Sequence, residues 1–186
     1  PGRAVVEEVT AIEETYPFEC QPAFESPDPE LTRQFAVAAE TVRICTTDAF
    51  TDCSTRERVQ WTEDLYMHSR VSAFAFADTR MLRHALFQAA QCALADGRIN
   101  GFFPSERTNC AFASSSLCWL HLLVDYWLHA GRDDVRQLFP TARRLLDSLA
   151  AWSEADGLLS SWPAGQFWDW APLDTSGCLL LTNAAY

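Results

Sequence analysis

Several features are scarce or missing in this chain, and each absence narrows the choice of protein class. The 186 residues include 14 Lys and Arg against 25 Asp and Glu, which gives a formal net charge of −11. The sequence therefore lacks the basic surplus expected of proteins that bind nucleic acid or anionic membranes. No apolar run approaches the roughly 18 residues of a membrane span, and no charged-then-apolar leader opens the chain. Neither nucleic acid nor a membrane is expected as a partner.

Paired cysteines are missing as well. The seven cysteines are an odd number and are scattered without a CxxC pair. This pattern disfavours a disulfide scaffold and a zinc cluster, and it favours free thiols in a reducing compartment such as the cytoplasm. The four histidines form neither an HExxH motif nor a cluster. We therefore expect no metal and no cofactor.

Helical periodicity is what the chain has in abundance. Residues 4–16 contain β-branched residues among acids, and we interpret them as a strand or extended lead-in. From Asp28-Pro29 onward, apolar residues recur at helical spacing and predict an all-α domain. The predicted helices begin near positions 29, 61, 78, 114, 133 and 179, with an interruption at Phe139-Pro140.

Long and short connections alternate between these helices. The long ones span 46–60, 96–113 and 156–177, and short turns join the others. Because successive antiparallel helices place alternate connections on the same end, the long loops should share one face. Loops of this length in a compact domain are usually functional or disordered, and these are rich in acids and tryptophan. The sequence predicts a stack of helical hairpins with its chemistry at one end.

The first long loop carries the most informative pattern. Residues 52–64 contain four acids, two arginines and a tryptophan between apolar segments. If the second helix begins near Glu57, then Glu57, Trp61 and Asp64 fall at i, i+4 and i+7 on one face, with Asp52 approaching from the loop. Acids held beside arginine and an aromatic ring suit the hydrolysis of a sugar bond.

The protonation of these acids depends on the two arginines. Clustered carboxylates raise one another's pKa, whereas the guanidinium groups of Arg56 and Arg58 favour the ionised form. The sequence leaves open whether these arginines face the acids. An acidic first helical turn with local arginine pairing explains the same pattern equally well.

A second cluster of candidate residues is Trp162 to Trp170. Trp168 and Trp170 offer flat faces to sugar C–H groups, and Asp169 can accept hydrogen bonds from hydroxyls. The alternative is an aromatic plug over the helix ends. We favour a site for Asp169, since a buried lone carboxylate is costly. Ser114-Ser115-Ser116 lacks a GxSxG context, so no serine nucleophile is expected.

These residues together resemble the signature of bacterial α-L-rhamnosidases of the inverting six-hairpin type, glycoside hydrolase family 78. That signature reads approximately D-C-P-x-R-E-R-x-x-W-x-G-D and aligns with residues 52–64. The resemblance extends to Tyr16-Pro17-Phe18-Glu19, Asp96-Gly97-Arg98-Ile99, Gly131-Arg132-Asp133, Asp156-Gly157-Leu158-Leu159 and Phe167-Trp168-Asp169-Trp170-Ala171.

The resemblance implies an all-α fold, namely the first half of an (α/α)6 six-hairpin toroid. Residues 26–186 would form a partial catalytic domain that continues beyond Tyr186, and residues 1–25 would be an extended lead-in from a preceding β-domain. The chain also starts without Met and stops within the apolar run 179–186. We interpret it as a piece of a longer protein.

The resemblance also assigns roles. Glu57 would be the general acid, Asp52 and Asp64 would hold sugar hydroxyls, and Asp169 with Trp170 would lie at the substrate subsite. Arg56, Trp61 and Trp168 complete the expected substrate-binding set. The family's general base is a glutamate further along the parent chain, so the expected function is inverting hydrolysis of terminal α-L-rhamnosides by the parent. The chain alone would be inactive, and its partners would be a rhamnose-containing glycoside and the remainder of the parent chain.

The chain departs from the family signature at two positions. Ser54 replaces a proline, and Glu63 replaces a glycine. A tryptophan-aspartate pair often seen in the loop corresponding to 105–113 is not evident. These departures keep two alternatives open: a non-catalytic carbohydrate-binding relative, and a helical-repeat interaction scaffold.

Overall fold

The computed structural model describes residues 4–20, 23–107, 109–131 and 133–186. In these ranges the helices are α1 (Pro29–Ile44), α2 (Thr62–Phe76), α3 (Arg80–Gln91), α4 (Ala113–Ala130), a 3-10 helix (Asp133–Leu138), α5 (Phe139–Trp152) and α6 (Leu180–Ala185). The β pairing in the same ranges is limited to isolated bridges, Thr46 with Phe50 and Trp61 with Phe102. The all-α prediction is confirmed. None of the helices in the described part of the chain is both long and apolar enough to cross a membrane.

Local sequence sets several helix ends where the signals predicted them. The side chain of Asp28 accepts a hydrogen bond from the backbone N–H of Glu30 at 2.9 Å, which caps α1 just before Pro29. Gly131 ends α4 with a φ of 58°, a left-handed conformation that favours glycine.

The start of α2 differs from one sequence prediction. The helix begins at Thr62, close to the predicted start near position 61 and not near Glu57, so the i, i+4, i+7 face considered for a longer helix does not form. Arg58 adopts a φ of 54° in the preceding loop, which is incompatible with a helix running through Glu57. Glu57 therefore lies on the loop, and Trp61 directly precedes the helix.

Neighbouring helices pack against one another around a shared core. Helix α2 packs against α1 and α4, and α4 also packs against α3 and α6. Leu65 of α2, Leu86 of α3 and Trp119 of α4 are fully buried in the shared core. Helices α2, α4 and α6 are thus neighbours in that order, with α1 packed against α2 and α3 packed against α4, as expected for successive helical hairpins.

The lead-in is anchored without secondary structure of its own. Residues 4–18 contain neither helix nor strand. Tyr16 donates its backbone N–H to the carbonyl of Thr46 at 2.7 Å, and Phe18 stacks on Phe76 with ring centroids 4.1 Å apart. Its origin in a preceding β-domain stays a prediction.

The long loops meet at one end of the helices, as their alternation predicts. The backbone N–H of Phe103 donates to the carbonyl of Gln60 at 3.3 Å, which joins the second long loop to the first. The indole N–H of Trp162 donates to the carbonyl of Ala111 at 2.6 Å, which joins the third to the second.

Candidate active site

A hollow of about 330 Å³ lies where the long loops meet. Two segments far apart in the sequence supply its lining: Asp52, Arg56, Glu57, Trp61, Glu63, Asp64, Phe167, Trp168, Asp169 and Trp170. Every residue predicted from the sequence as a site residue is in this set. Glu63 and Phe167 were not predicted and also line the hollow.

The loop that carries Asp52 is closed by its own hydrogen bonds. Oδ1 of Asp52 accepts the backbone N–H of Val59 at 2.9 Å, and the backbone N–H of Asp52 donates to the Val59 carbonyl at the same distance. Within this turn the backbone N–H of Glu57 donates to Sγ of Cys53 at 3.2 Å. Glu57 is thus held in place although it does not belong to a helix.

The carboxylate of Glu57 has one partner on each oxygen. Trp61 donates its indole N–H to Oε2 at 2.8 Å, and Nη2 of Arg56 lies 3.2 Å from Oε1. The Arg56 side chain is 85% exposed and that of Glu57 is 36% exposed. Arg56 therefore faces the acid from the solvent side, where water screens much of its charge.

Asp64 is a half-buried carboxylate of the predicted set. It belongs to the first turn of α2. Burial raises its pKa, and the charges of Asp52 and Glu57 raise it further. Asp64 consequently keeps a proton to a higher pH than an ordinary aspartate.

Glu63 lies next to Asp64 and is the more deeply buried of the two. Ser114 and Ser115 donate their hydroxyls to its Oε1 at 2.6 and 2.9 Å. Burial raises the pKa of Glu63 even though these two hydrogen bonds favour the ionised form. Sequence analysis treated Glu63 only as a departure from the signature and found no use for the serines. Two adjacent hydroxyls at the start of α4 were the available signal.

The aromatic cluster divides between the core and the hollow. Trp162 is 7% exposed and packs edge-on against Trp152 at 5.1 Å, so it plugs the helix ends as the alternative interpretation predicted. Trp168 lines the hollow and donates its indole N–H to Oγ1 of Thr182 at 2.9 Å. Trp170 is 89% exposed at the rim and packs edge-on against Phe167 at 5.1 Å.

Asp169 lies on the hollow, but the reason given for it from the sequence is wrong. Its side chain is exposed, and Oδ1 accepts the backbone N–H of Ala171 at 3.3 Å. The loop turns outward here, so the carboxylate is neither buried nor alone.

Another hollow, of about 420 Å³, lies between the lead-in and α1. The charged residues in its lining, Glu40 and Arg43, pair with each other at 2.7 Å. Its lining combines aromatic rings with polar side chains and contains a single acid, Glu40. We therefore place the candidate site in the smaller hollow, where carboxylates and tryptophans meet.

Comparison with known proteins identifies the family. Residues 21–183 match the model of the bacterial α-L-rhamnosidase six-hairpin glycosidase domain. The chain belongs to this family. The match covers most of the described helices, so the predicted resemblance and the six-hairpin fold class are confirmed.

Two solved structures are similar to this six-hairpin glycosidase domain. One is a family 78 rhamnosidase of Bacillus sp. GL1, with a TM-score of 0.81 and 24% identity over 92% of this chain and 18% of that chain. The other is a rhamnosidase from Klebsiella oxytoca with rhamnose bound, with a TM-score of 0.73 and 28% identity over 82% of this chain and 31% of that chain. The chain thus spans less than a third of either solved rhamnosidase. No curated protein matches it.

The two residues that depart from the signature of this glycosidase family differ in their position relative to the hollow. Ser54 is exposed on the outer side of the loop and is not part of the hollow's lining. Glu63, in contrast, lies in the lining itself. The departure that bears on the chemistry is therefore the one at Glu63.

Proposed function

We propose that the chain carries the general acid and the sugar-binding part of an inverting α-L-rhamnosidase site. The observation that supports this most directly is the convergence of residues 52–64 and 167–170 on one hollow. Its volume of about 330 Å³ falls within the usual range of ligand sites. Tryptophan faces suit the C–H groups of a deoxy sugar, and carboxylates suit its hydroxyls.

Glu57 acts as the general acid. It gives its proton to the glycosidic oxygen as the bond to the aglycone breaks. The indole N–H of Trp61, 2.8 Å from Oε2, orients this carboxyl group. Arg56, 3.2 Å from Oε1, stabilises the carboxylate that remains after the proton has left.

The neighbouring acids bind and stabilise the sugar. Asp52 and Asp64 accept hydrogen bonds from its hydroxyls, and their charge favours the positive character that develops on the ring in the transition state. Trp168, Asp169 and Trp170 close the other side of the hollow and contact the sugar from the rim.

The general base comes from the remainder of the parent chain. An inverting enzyme holds its two carboxyl groups roughly 6.5–9.5 Å apart with a water between them. The much greater length of both solved rhamnosidases supports a second contributing segment. In this scheme residues 26–186 are part of the catalytic domain, residues 1–25 lead in from a preceding domain, and the chain alone binds the sugar without hydrolysing it.

The test uses the full-length parent and an aryl α-L-rhamnoside. Glu57→Gln should abolish rhamnose release, whereas Glu30→Gln on the outer face of α1 should leave it unchanged. Proton NMR of the fresh product should show the β anomer first, because inversion converts the α linkage to β. Undiminished release by Glu57→Gln would remove Glu57 from the mechanism, and the α anomer appearing first would rule out inversion.

A non-catalytic carbohydrate-binding relative is the second candidate. Glu63 in the lining is the observation in its favour, since it adds a side chain and a carboxyl group beside Asp64. Calorimetry that detects rhamnoside binding by the parent without turnover would select this alternative. The repeat-scaffold interpretation is disfavoured, because family membership and the acid-lined hollow both point to sugar chemistry.

A further inference from the structure

The hollow contains a carboxyl group that the family signature lacks. Glu63 occupies the position of the signature's glycine, in the first turn of α2. Its side chain crosses to the start of α4, where the hydroxyls of Ser114 and Ser115 hold it at 2.6 and 2.9 Å. These contacts span the packed pair α2 and α4, so the orientation of Glu63 is determined by the core below the hollow.

Both serine hydroxyls bind the same oxygen of Glu63. Oε1 receives them, with donor–acceptor distances of 2.6 and 2.9 Å. Glu63 also lines the hollow, so its side chain borders the space in which the sugar is proposed to bind.

We propose that Glu63 is a specificity-determining residue whose Oε2 accepts a hydrogen bond from one hydroxyl of the bound sugar. This inference rests on the proposed function of the hollow as the sugar site. With both serines on Oε1, a sugar hydroxyl on Oε2 completes the hydrogen bonding of the carboxylate. Because the serines already fix the side chain, the acceptor is positioned before the sugar arrives and selects for a hydroxyl at one place on the ring.

A purely structural bridge between α2 and α4 accounts for less of the geometry. Such a bridge needs a neutral acceptor for two hydroxyls, and a glutamine or a backbone carbonyl would serve. Glu63 instead keeps a carboxyl group where burial disfavours its charge and raises its pKa. The charge is supported by the N-terminal turns of the two helices, and the side chain lines the hollow.

The experiment compares one substitution across a set of related sugars. The full chain and its Glu63→Gln variant are titrated with methyl α-L-rhamnoside and with its 2-, 3- and 4-deoxy forms. The readout is the fluorescence of the tryptophans that line the hollow, Trp61, Trp168 and Trp170. Glutamine keeps a carbonyl oxygen for the serines but places an amide NH₂ where Oε2 was.

We expect Glu63→Gln to weaken binding of methyl α-L-rhamnoside by about tenfold or more, the usual scale for losing a hydrogen bond to a charged group. One deoxy sugar should bind both proteins equally, because it lacks the hydroxyl that Glu63 contacts. Glu154→Gln is the matched control: Glu154 also accepts a serine hydroxyl, from Ser160 at 2.5 Å, but it lies outside the lining. Its affinities should equal those of the unmodified chain.

The other outcomes would overturn either this inference alone or the proposed function together with it. An equal loss for all four sugars, or no loss for any, would show that Glu63 contacts no particular hydroxyl and would overturn this inference alone. No binding by the unmodified chain would overturn the proposed function and this inference with it. Should circular dichroism show that Glu63→Gln does not fold, Ser115→Ala replaces it. This substitution removes one of the two hydrogen bonds that hold Glu63, so it should weaken binding of methyl α-L-rhamnoside and leave the affinity for one of the three deoxy sugars unchanged.

Discussion

The indole Nε1 of Trp61 lies 2.8 Å from Oε2 of Glu57 and donates a hydrogen bond to it. This contact joins the proposed acid, which lies on a loop, to the residue that directly precedes α2. The indole is itself supported by Phe102, whose ring centroid is 4.9 Å away. Gly101 leaves room for it, because a Cβ there would come within 3.1 Å of the indole. The position of the acid therefore depends on the second long loop as well as on its own.

Removing this hydrogen bond should impair catalysis by the full-length parent. Trp61→Phe keeps an aromatic ring and deletes the N–H, so Glu57 loses the donor that orients it. Hydrogen bonds to charged groups contribute about 1.5–3 kcal/mol, and kcat/KM for an aryl rhamnoside should fall about ten- to a hundredfold. Trp152→Phe, outside the lining of the hollow, is the control and should retain full activity. Equal activity of both variants would contradict the role of Trp61.

The pH dependence of stability should reveal the burial of Glu63. Its pKa is raised in the folded chain above the ordinary value of 4.5. Between the ordinary pKa of the unfolded chain and the raised pKa of the folded chain, the folded state binds more protons than the unfolded state. The free energy of unfolding therefore falls as the pH rises from the lower pKa to the higher one. Glu63→Gln removes this contribution. Urea unfolding should show the stability of the unmodified chain declining relative to the variant from about pH 4.5 upward. A relative gain with rising pH would contradict the assignment.

Truncation of two tryptophans in the same loop should affect the free energy of unfolding to very different extents. Trp162 is 7% exposed and its N–H is bonded to the carbonyl of Ala111, so Trp162→Ala should lower the free energy of unfolding by about 3–5 kcal/mol. Trp170 is 89% exposed, and Trp170→Ala should change it by no more than about 0.5 kcal/mol. Urea denaturation measures both. Similar losses would show that the loop does not divide between core and rim.

Alanine substitutions at two glycines should distinguish the stability cost of a strained backbone conformation from the cost of a steric clash. Gly157 has a φ of 84° with open space around a Cβ, so Gly157→Ala should cost about 1–2 kcal/mol of stability from its conformation alone. Gly97 has a φ of 89°, and a Cβ there would lie 2.5 Å from the backbone nitrogen of Leu145. Gly97→Ala should therefore cost about 1–3 kcal/mol more, because the loop must move off α5. Thermal unfolding of the two variants provides the comparison, and equal losses would contradict the close approach.

Much of the fold could be predicted because its signals are local. Asp28-Pro29 marks the start of α1 through a cap that involves only neighbouring residues, and Gly131 ends α4 through its own backbone conformation. The alternation of long and short connections placed the chemistry at one end. Family resemblance in residues 52–64 and 167–171 then named the acids and tryptophans that the structure brings together.

Other features could not be predicted because they depend on the conformation of a loop or on residues distant in the chain. The left-handed φ of Arg58 excludes a helix through Glu57, and the spacing of the acids in the sequence does not predict that conformation. Trp162 and Trp170 have the same chemistry and differ only in which of them meets the carbonyl of Ala111. Motif and spacing predicted the start of α2 near position 61 but also allowed a longer helix through Glu57, and they did not distinguish the buried Trp162 from the exposed Trp170.

The sequence by itself determined the all-α class, the family and the side chains available for sugar chemistry, since periodicity, caps and motifs are properties of neighbouring residues. Only the tertiary structure decided the partners of those side chains. Glu63 and Ser114 meet because α2 packs on α4, and Trp61 reaches Glu57 because the loop between them turns back on itself. The first contact joins residues 51 positions apart, and the second depends on the conformation of a loop; residue order alone specifies neither.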